Sequence, residues 1–199
     1  MRRRSPAIGA LILLIGLFTA SPEKAYAQDA RGFIAALGNQ AIQVLGPGVP
    51  QAQRIARFRQ IFQSDFDVPG IGQFVLGRYW RVATPEEQQE FLRLFQEYIV
   101  QSYAARLGEY GGEPFRVTSV RPNGEETVVT SEIIRPTGNR IAVDWYLIGR
   151  GPYKITDVYV GGVSMKVTQR DEFASVIQRN GGRVDALLAQ LRQRIATAR

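Results

Sequence analysis

The side chains able to support catalysis are few, and Asp144 is the strongest candidate among them. The sequence contains no histidine and no cysteine, which excludes a Ser-His-Asp triad, a thiolate nucleophile and a His-ligated metal site. Carboxylate chemistry remains, because some small isomerases and dehydratases hold an aspartate base in an apolar cone. Asp144 alternates with apolar residues of a strand pattern, so exposure to solvent or a contact with a neighbouring arginine is the simpler interpretation. We therefore predict that the protein is not an enzyme and has no cofactor or metal site.

The segment 66–110 carries more aromatic side chains than a helical pair of this length needs to close a core. This surplus indicates an apolar ligand. Tyr and Trp suit the mouth of an apolar pocket, because their rings can face hydrocarbon while their polar ends reach water. The predicted lining takes eight residues from the helices and three from the sheet: Phe66, Phe74, Val75, Tyr79, Phe95, Tyr98, Ile99, Tyr103, Val143, Trp145 and Val158.

The N-terminus has the pattern of a secretory signal peptide. Three arginines at positions 2–4 precede an apolar run at 7–20, and Ala25-Tyr26-Ala27 supplies the small residues that a signal peptidase accepts. The run is shorter than the roughly 20 residues that span a bilayer. We predict a signal peptide over residues 1–27, with cleavage before Gln28, and a freely soluble periplasmic protein.

Net charge argues against nucleic acid as a partner. The formal charge of +7 falls to about +4 once residues 1–27 are removed, and the arginines are scattered singly. A mildly basic surface of this kind favours anionic lipid headgroups or an acidic partner. Arg78 and Arg81 could meet a phosphate, although a solvated pair with its stems on the aromatic rings is the simpler interpretation. Arg170 is predicted to pair with Asp157 or Glu172.

The order of elements predicts an α+β fold: a curved antiparallel sheet of about four strands, packed with N-terminal and C-terminal helices around an apolar pocket. A single domain over residues 28–199 would contain helices at 30–110, a sheet at 113–168 and helices at 170–197. Asp67 can cap a short helix, and Thr84 with Glu87 forms the capping box of a longer one. Gly108, Gly111 and Gly112 are expected to end that longer helix.

Four segments after Gly112 change from helical to alternating periodicity and predict strands at 115–121, 127–135, 140–148 and 153–160. Short glycine-containing connections imply an antiparallel meander. In the third strand, Val143 and Trp145 share one apolar face, whereas Asp144 lies on the other. Gly161-Gly162 is expected to form a turn with positive φ.

Two groups of residues carry a resemblance to a known family. They are LGRYW at 76–80 with TPE at 84–86, and DV at 157–158 leading through GVS at 162–164 to Arg170 and Phe173. Over residues 31–192 the chain resembles the MlaC family of periplasmic lipid-shuttle proteins, also called toluene-tolerance proteins. The resemblance implies helices and a curved sheet around a deep pocket for phospholipid acyl chains.

The resemblance also implies partners and a role. A member of this family is expected to shuttle phospholipid between an outer-membrane lipoprotein complex and an inner-membrane ABC-transporter complex with an MCE-domain protein, and so to maintain outer-membrane lipid asymmetry. A related branch is associated with hopanoids, so a rigid polycyclic lipid remains an alternative. A monomer suits a shuttle. Two further hypotheses stay open: an isomerase or dehydratase that uses Asp144, and a ligand-free adaptor with a basic face and a filled core.

Overall fold

The computed structural model describes residues 22–45, 48–107 and 113–198, without the side chains of residues 22–28, 44–45 and 105–107. Six α-helices, one 3-10 helix at Gly77–Arg81 and five strands make up the described part of the chain. The helices are α1 (Pro22–Leu45), α2 (Gln51–Asp65), α3 (Val68–Leu76), α4 (Pro85–Leu107), α5 (Met165–Arg179) and α6 (Val184–Thr197). The strands are β1 (Phe115–Asn123), β2 (Glu126–Ile134), β3 (Arg140–Ile148), β4 (Lys154–Val160) and β5 (Val163–Ser164).

The predicted α+β class is confirmed, and the sheet has one more strand than expected. All five strands pair antiparallel in the order β1-β2-β3-β4-β5. The two-residue β5 pairs with the end of β4 through the turn at Gly161-Gly162, whose φ angles of 57° and 83° confirm the predicted positive values. A two-residue strand has no detectable alternation, which is why periodicity missed it.

Helices α3 and α4 begin at the capping residues that were predicted from the sequence. The Asp67 carboxylate accepts a hydrogen bond from the Gly70 amide at 3.2 Å at the start of α3. At the start of α4, the Glu87 amide donates to the Thr84 hydroxyl at 3.2 Å, and the Thr84 amide donates to the Glu87 carboxylate at 2.9 Å. The glycines at 108, 111 and 112, predicted to end α4, lie outside the described residues.

Two hydrophobic clusters form the core. One joins α2 to α6 and contains a Phe91, Phe95 and Phe173 group with ring centroids 5.8–6.4 Å apart. The other consists of side chains of α1 and of the C-terminal part of α2 that pack on β2, β3 and β4. Adjacent residues of α2 serve different clusters, because Ile61 faces the sheet and Phe62 faces the helices. Helix α2 therefore lies between the two halves of the core.

Helix α1 is attached closely to β1. The Arg31 guanidinium donates to the carbonyls of Val117 and Thr118, at 2.9 and 3.3 Å, where β1 contains a bulge. Gly38 lies against the Phe115 ring so closely that any side chain at this position would overlap it. This attachment matters because α1 covers one side of the space between the two clusters.

The junction between β4 and α5 depends on a buried carboxylate. Asp157 accepts hydrogen bonds from the Ser164 hydroxyl at 2.5 Å, the Val158 amide at 2.8 Å and the Lys166 amide at 3.1 Å. The predicted pairing of Arg170 with Asp157 or Glu172 is wrong. Asp157 is already occupied by these donors, so Arg170 contacts the neighbouring Asp171 at 3.2 Å instead.

Most of the predicted signal peptide, residues 1–27, lies outside the described residues, which begin at residue 22. Its cleavage before Gln28 remains a prediction. Within the described ranges, every helix is too short or too polar to be a membrane-spanning segment.

Candidate functional site

A cavity of about 350 Å³ lies between the two hydrophobic clusters. Its walls combine Leu37 and Ile61 of the sheet-side cluster with Phe62, Val75 and Phe95 of the helical cluster. Close packing of side chains normally leaves few voids larger than a water molecule. A space of this size lies within the range of roughly 300–1,000 Å³ that small-molecule sites occupy.

The sheet contributes one face of alternating side chains to the cavity. Because strand residues point alternately to opposite faces, Ile141, Val143 and Trp145 of β3 all face inward. The register places Val143 opposite Val160 and Trp145 opposite Val158, which adds two residues of β4 to the same wall. Leu147, the next inward residue of β3, is fully buried in the sheet-side cluster. The inner end of the cavity is therefore sealed by packed side chains.

The opposite end is open. Lining residues near the ends of β2, β3 and β4 are partly exposed, and Val160 keeps 39% of its surface accessible. Tyr103 of α4 and Met165 of α5 complete this opening, and the Tyr103 hydroxyl lies 3.8 Å from the Met165 sulfur. A ligand with an apolar body and a polar end could enter here and leave its polar end in water.

Most polar atoms in the lining are engaged by side chains outside it. The Trp145 indole N–H donates to the Ser131 hydroxyl at 2.8 Å. The Thr156 hydroxyl donates to the Glu126 carboxylate at 2.7 Å, and the Gln169 amide donates to Glu172 at 3.2 Å. A lining whose polar groups already have partners presents an apolar surface to its contents.

Eight of the eleven residues predicted to line an apolar pocket surround this cavity. They are Phe66, Val75, Phe95, Ile99, Tyr103, Val143, Trp145 and Val158. Their contact with a lipid stays a prediction.

The other three predicted residues lie elsewhere. Phe74 is on the side of α3 that packs against α5, so two basic side chains of α5 cover its ring. Tyr79 is buried beside Arg78, which donates to its hydroxyl at 2.9 Å. Tyr98 turns toward α6, where Arg194 donates to its hydroxyl at 3.0 Å. All three were predicted from their position in the aromatic segment 66–110, but neighbouring side chains occupy the space around their rings that a ligand would need.

The aromatic surplus of segment 66–110 has a mostly structural explanation. Of its described aromatic residues, only Phe66, Phe95 and Tyr103 line the cavity. Phe91 instead packs edge-on against Phe173 of α5, which lies far along the chain, and Phe95 contacts the same ring as well as the cavity. The number of aromatic residues was therefore weaker evidence for a ligand than the apolar face of β3.

The cavity also includes residues that were not predicted to line it. Most belong to α1, α2 and the open end, and they are Leu37, Ala41, Phe58, Ile61, Phe62, Ile71, Ile133, Ile141, Thr156, Asp157, Val160, Met165, Lys166 and Gln169. Ile133 and Ile141 could have been found from strand alternation, because they share the inward face with Val143. The α1 and α2 residues had the correct helical period, but which helix covers the sheet is decided only by tertiary packing.

Asp144 does not face the cavity. It lies on the outer side of β3 and accepts a hydrogen bond from the Thr130 hydroxyl at 2.6 Å. The hypothesis that it acts as a base within an apolar cone is wrong, because strand alternation directs it to the opposite face from Val143 and Trp145. The ligand-free adaptor hypothesis required a filled core, which the cavity contradicts.

Two groups near the site have shifted pKa values. On the outer face of the sheet, burial raises the pKa of the Tyr159 hydroxyl, as does the negative charge of Asp157, and the Tyr159 ring lies 4.7 Å from that of Tyr146. The Glu172 carboxylate, 2.6 Å from Arg194, raises the pKa of that guanidinium. Within the described ranges, no group of three or more acidic residues could hold a metal ion.

Phe66 separates the cavity from a second cleft of about 510 Å³. This cleft is bordered by the start of α3, the middle of α4 and Lys154 of β4. The Phe66 ring lies 5.0 Å from that of Phe62, and the Asp67 amide next to it donates to the Ile155 carbonyl at 2.9 Å. The Phe66 ring, whose neighbouring backbone is tied to β4, therefore forms part of the wall between a lipophilic space and a more polar one.

Comparisons with known proteins agree with this architecture. The family model described as MlaC protein matches residues 37–193. The toluene tolerance protein ttg2D of Pseudomonas putida is 32% identical over 123 residues, which cover 60% of this chain and 57% of that protein. The intermembrane phospholipid transport system binding protein MlaC of Haemophilus influenzae is 25% identical over 128 residues, which cover 61% of this chain and 59% of that protein. The matched part thus spans less than two thirds of either relative.

A solved structure has a similar fold. It is a phospholipid-binding protein from Ralstonia solanacearum in complex with a phospholipid, with a TM-score of 0.71 and 23% sequence identity. The match covers 85% of this chain and 98% of that one. At this identity the likeness shows that the two proteins share a fold.

Proposed function

Since the chain belongs to the MlaC family, we propose that it is a periplasmic carrier that holds phospholipid acyl chains in the cavity between α1, α2 and the sheet. The observation that carries this proposal is the cavity itself, about 350 Å³ with an almost wholly apolar lining and one open end. The names of the Haemophilus relative and the Ralstonia neighbour, both linked to phospholipid, support the same substrate class.

The geometry suits transport because an apolar cavity lowers the free-energy barrier that a lipid meets when it crosses water. Burying one methylene is worth about 0.8 kcal/mol, so two tails of roughly 15 methylenes each would represent on the order of 24 kcal/mol relative to water. The bilayer offers nearly the same apolar environment. The free energy of transfer from membrane to cavity is therefore a small difference between two large burial free energies. Direction must then come from partners or from an energy source rather than from the carrier.

We infer the partners from the family. They would be an inner-membrane ABC-transporter complex with an MCE-domain protein on one side and an outer-membrane lipoprotein complex on the other. In this role the protein acts as a monomer after removal of residues 1–27 and helps to maintain the lipid asymmetry of the outer membrane. A hopanoid-type lipid is the alternative cargo for the same cavity.

Identification of bound lipid tests the proposal. Protein purified without detergent from its periplasmic location should retain phospholipid, which native mass spectrometry and lipid extraction would identify. Absence of bound lipid together with no uptake of labelled phospholipid from vesicles would refute the carrier function. Bound hopanoid with no phospholipid would identify the alternative cargo.

A matched pair of variants connects lipid uptake to the cavity. Val143→Trp adds a large side chain where Val143 is 4% exposed and faces the cavity, so it should reduce lipid loading several-fold. Val82→Trp adds the same group where Val82 is 71% exposed and outside the lining, so loading should stay at the wild-type level. Equal loading of both variants would place the lipid somewhere other than this cavity.

A further inference from the structure

Two basic side chains of α5 share the ring of Phe74, which is the sequence neighbour of the cavity-lining Val75 but does not itself line the cavity. Lys166 Nζ lies 4.8 Å from the centroid of the Phe74 ring, and Arg170 Cζ lies 5.2 Å from the same centroid. The two residues are four positions apart, so they stand one above the other on the same helix face. Each cation gains from the ring, but the pair also repel one another.

Carboxylates neutralise this pair only in part. Arg170 contacts Asp171 at 3.2 Å, and the Asp171 side chain is largely exposed. Across the part of the chain that the structure describes, Lys166 Nζ forms no ion pair. The other nearby carboxylates already have partners: Glu172, on a different face of α5, contacts Arg194 and Gln169, and Asp157 accepts hydrogen bonds from Ser164, Val158 and the Lys166 backbone. The Lys166 ammonium group is therefore a cation without a carboxylate partner of its own in the described part of the chain.

Lys166 connects this charge to the apolar cavity. The residue is among those that line the cavity, next to Met165 at the open end, while its ammonium group is directed over Phe74. Its backbone is held by the buried Asp157 carboxylate at 3.1 Å, which fixes the first turn of α5. Gly77, with φ of 59°, lies next to the aliphatic stem of Arg170. Lys166 thus lies where the apolar lining gives way to solvent, and Arg170 lies about one helical turn further along α5, outside the lining.

We propose that Lys166 and Arg170, supported by the Phe74 ring, bind the phosphate group of the carried lipid. The inference rests on the proposed function, since it takes the acyl chains to be in the cavity. A phosphodiester placed between the two cations would relieve their repulsion and accept charge-assisted hydrogen bonds from both. The site therefore favours a phosphate-bearing, net anionic lipid over a neutral polycyclic one.

Competitive loading from mixed vesicles tests this subsite. Wild-type protein is incubated with vesicles that contain phosphatidylglycerol and a diacylglycerol with the same acyl chains, and the ratio of the two lipids bound is measured. In the double variant Lys166→Gln/Arg170→Gln this ratio should fall about tenfold, because each exposed charge–charge contact is expected to contribute about threefold. Lys166→Arg, which keeps the charge, should retain the wild-type ratio.

The control removes the same charge from another surface. Arg183→Gln/Arg192→Gln deletes two exposed arginines of the α6 region that do not line the cavity, and it should leave the ratio unchanged. Circular dichroism checks folding of each protein. Should the Lys166/Arg170 double variant not fold, Lys166→Met and Arg170→Gln are compared singly, with about a threefold fall expected for each.

The outcomes separate the subsite from the carrier function and from free phosphate. If wild-type protein loads neither lipid, the proposed function fails. If both lipids load and the ratio is the same in wild type and double variant, only the subsite is wrong. Inorganic phosphate alone is also titrated into lipid-extracted protein: binding of phosphate without any change in lipid ratio between wild type and double variant would identify a free-phosphate site and overturn the inference.

Discussion

On the proposed carrier function, removing bound lipid should lower the thermal stability of this protein, because the cavity then loses its apolar contents. Core cavities cost about 24 cal/mol per Å³, so 350 Å³ corresponds to about 8 kcal/mol. This value is an upper limit, since water can enter the open end at Val160 and Met165. Natural domains are stable by only about 5–15 kcal/mol, so even part of this cost is a large fraction of the total.

The expected change in melting temperature follows from that free energy. If half of the limit is realised, about 4 kcal/mol, the melting temperature should fall by about 8 to 16 °C, because 1 kcal/mol shifts a domain of 150–250 residues by about 2–4 °C. The assay is differential scanning calorimetry of the protein as purified and after organic extraction of its lipid, with mass spectrometry to verify the extraction. Adding back phospholipid should restore the higher temperature by mass action.

The cavity-filling variant provides the control for this measurement. In Val143→Trp the difference between loaded and extracted protein should shrink, because the indole occupies part of the empty space, whereas Val82→Trp should keep the full difference. The reasoning is refuted if completely extracted wild-type protein melts within about 2 °C of the loaded form, a shift that corresponds to less than about 1 kcal/mol. Such a result would mean that the empty cavity closes without cost.

Two further predictions concern the walls of the cavity. Asp157→Ala leaves a buried hydroxyl and two backbone N–H groups without their acceptor, so the free energy of unfolding measured in urea should fall by about 3 kcal/mol. The control Asp185→Ala, at an exposed position, should change this free energy by less than about 0.5 kcal/mol. Equal losses in the two variants would contradict the role of Asp157 as a buried acceptor. Phe66→Ala opens the wall toward the second cleft, so labelled lipid should leave the protein several-fold faster in a transfer assay to acceptor vesicles, and an unchanged rate would show that Phe66 does not retain the lipid.

Interactions between residues close in the sequence determine where the helices begin and which strand residues share a face, so these features could be predicted from the sequence. The capping residues Asp67, Thr84 and Glu87 act within three positions of themselves, so their hydrogen bonds do not depend on the rest of the fold. Strand alternation is equally local, and it correctly placed Val143 and Trp145 on one face and Asp144 on the other.

Which apolar face surrounds empty space, and which is filled by a neighbour, was decided only by tertiary structure. Phe74 and Val75 are adjacent in α3 and equally apolar in pattern, yet Val75 lines the cavity while α5 covers Phe74 with Lys166 and Arg170. Phe91 likewise packs against Phe173, more than 80 positions away. Periodicity reports that a side chain is turned inward, but the partner it meets depends on contacts between segments far apart in the chain, and a cavity exists only where those contacts are missing.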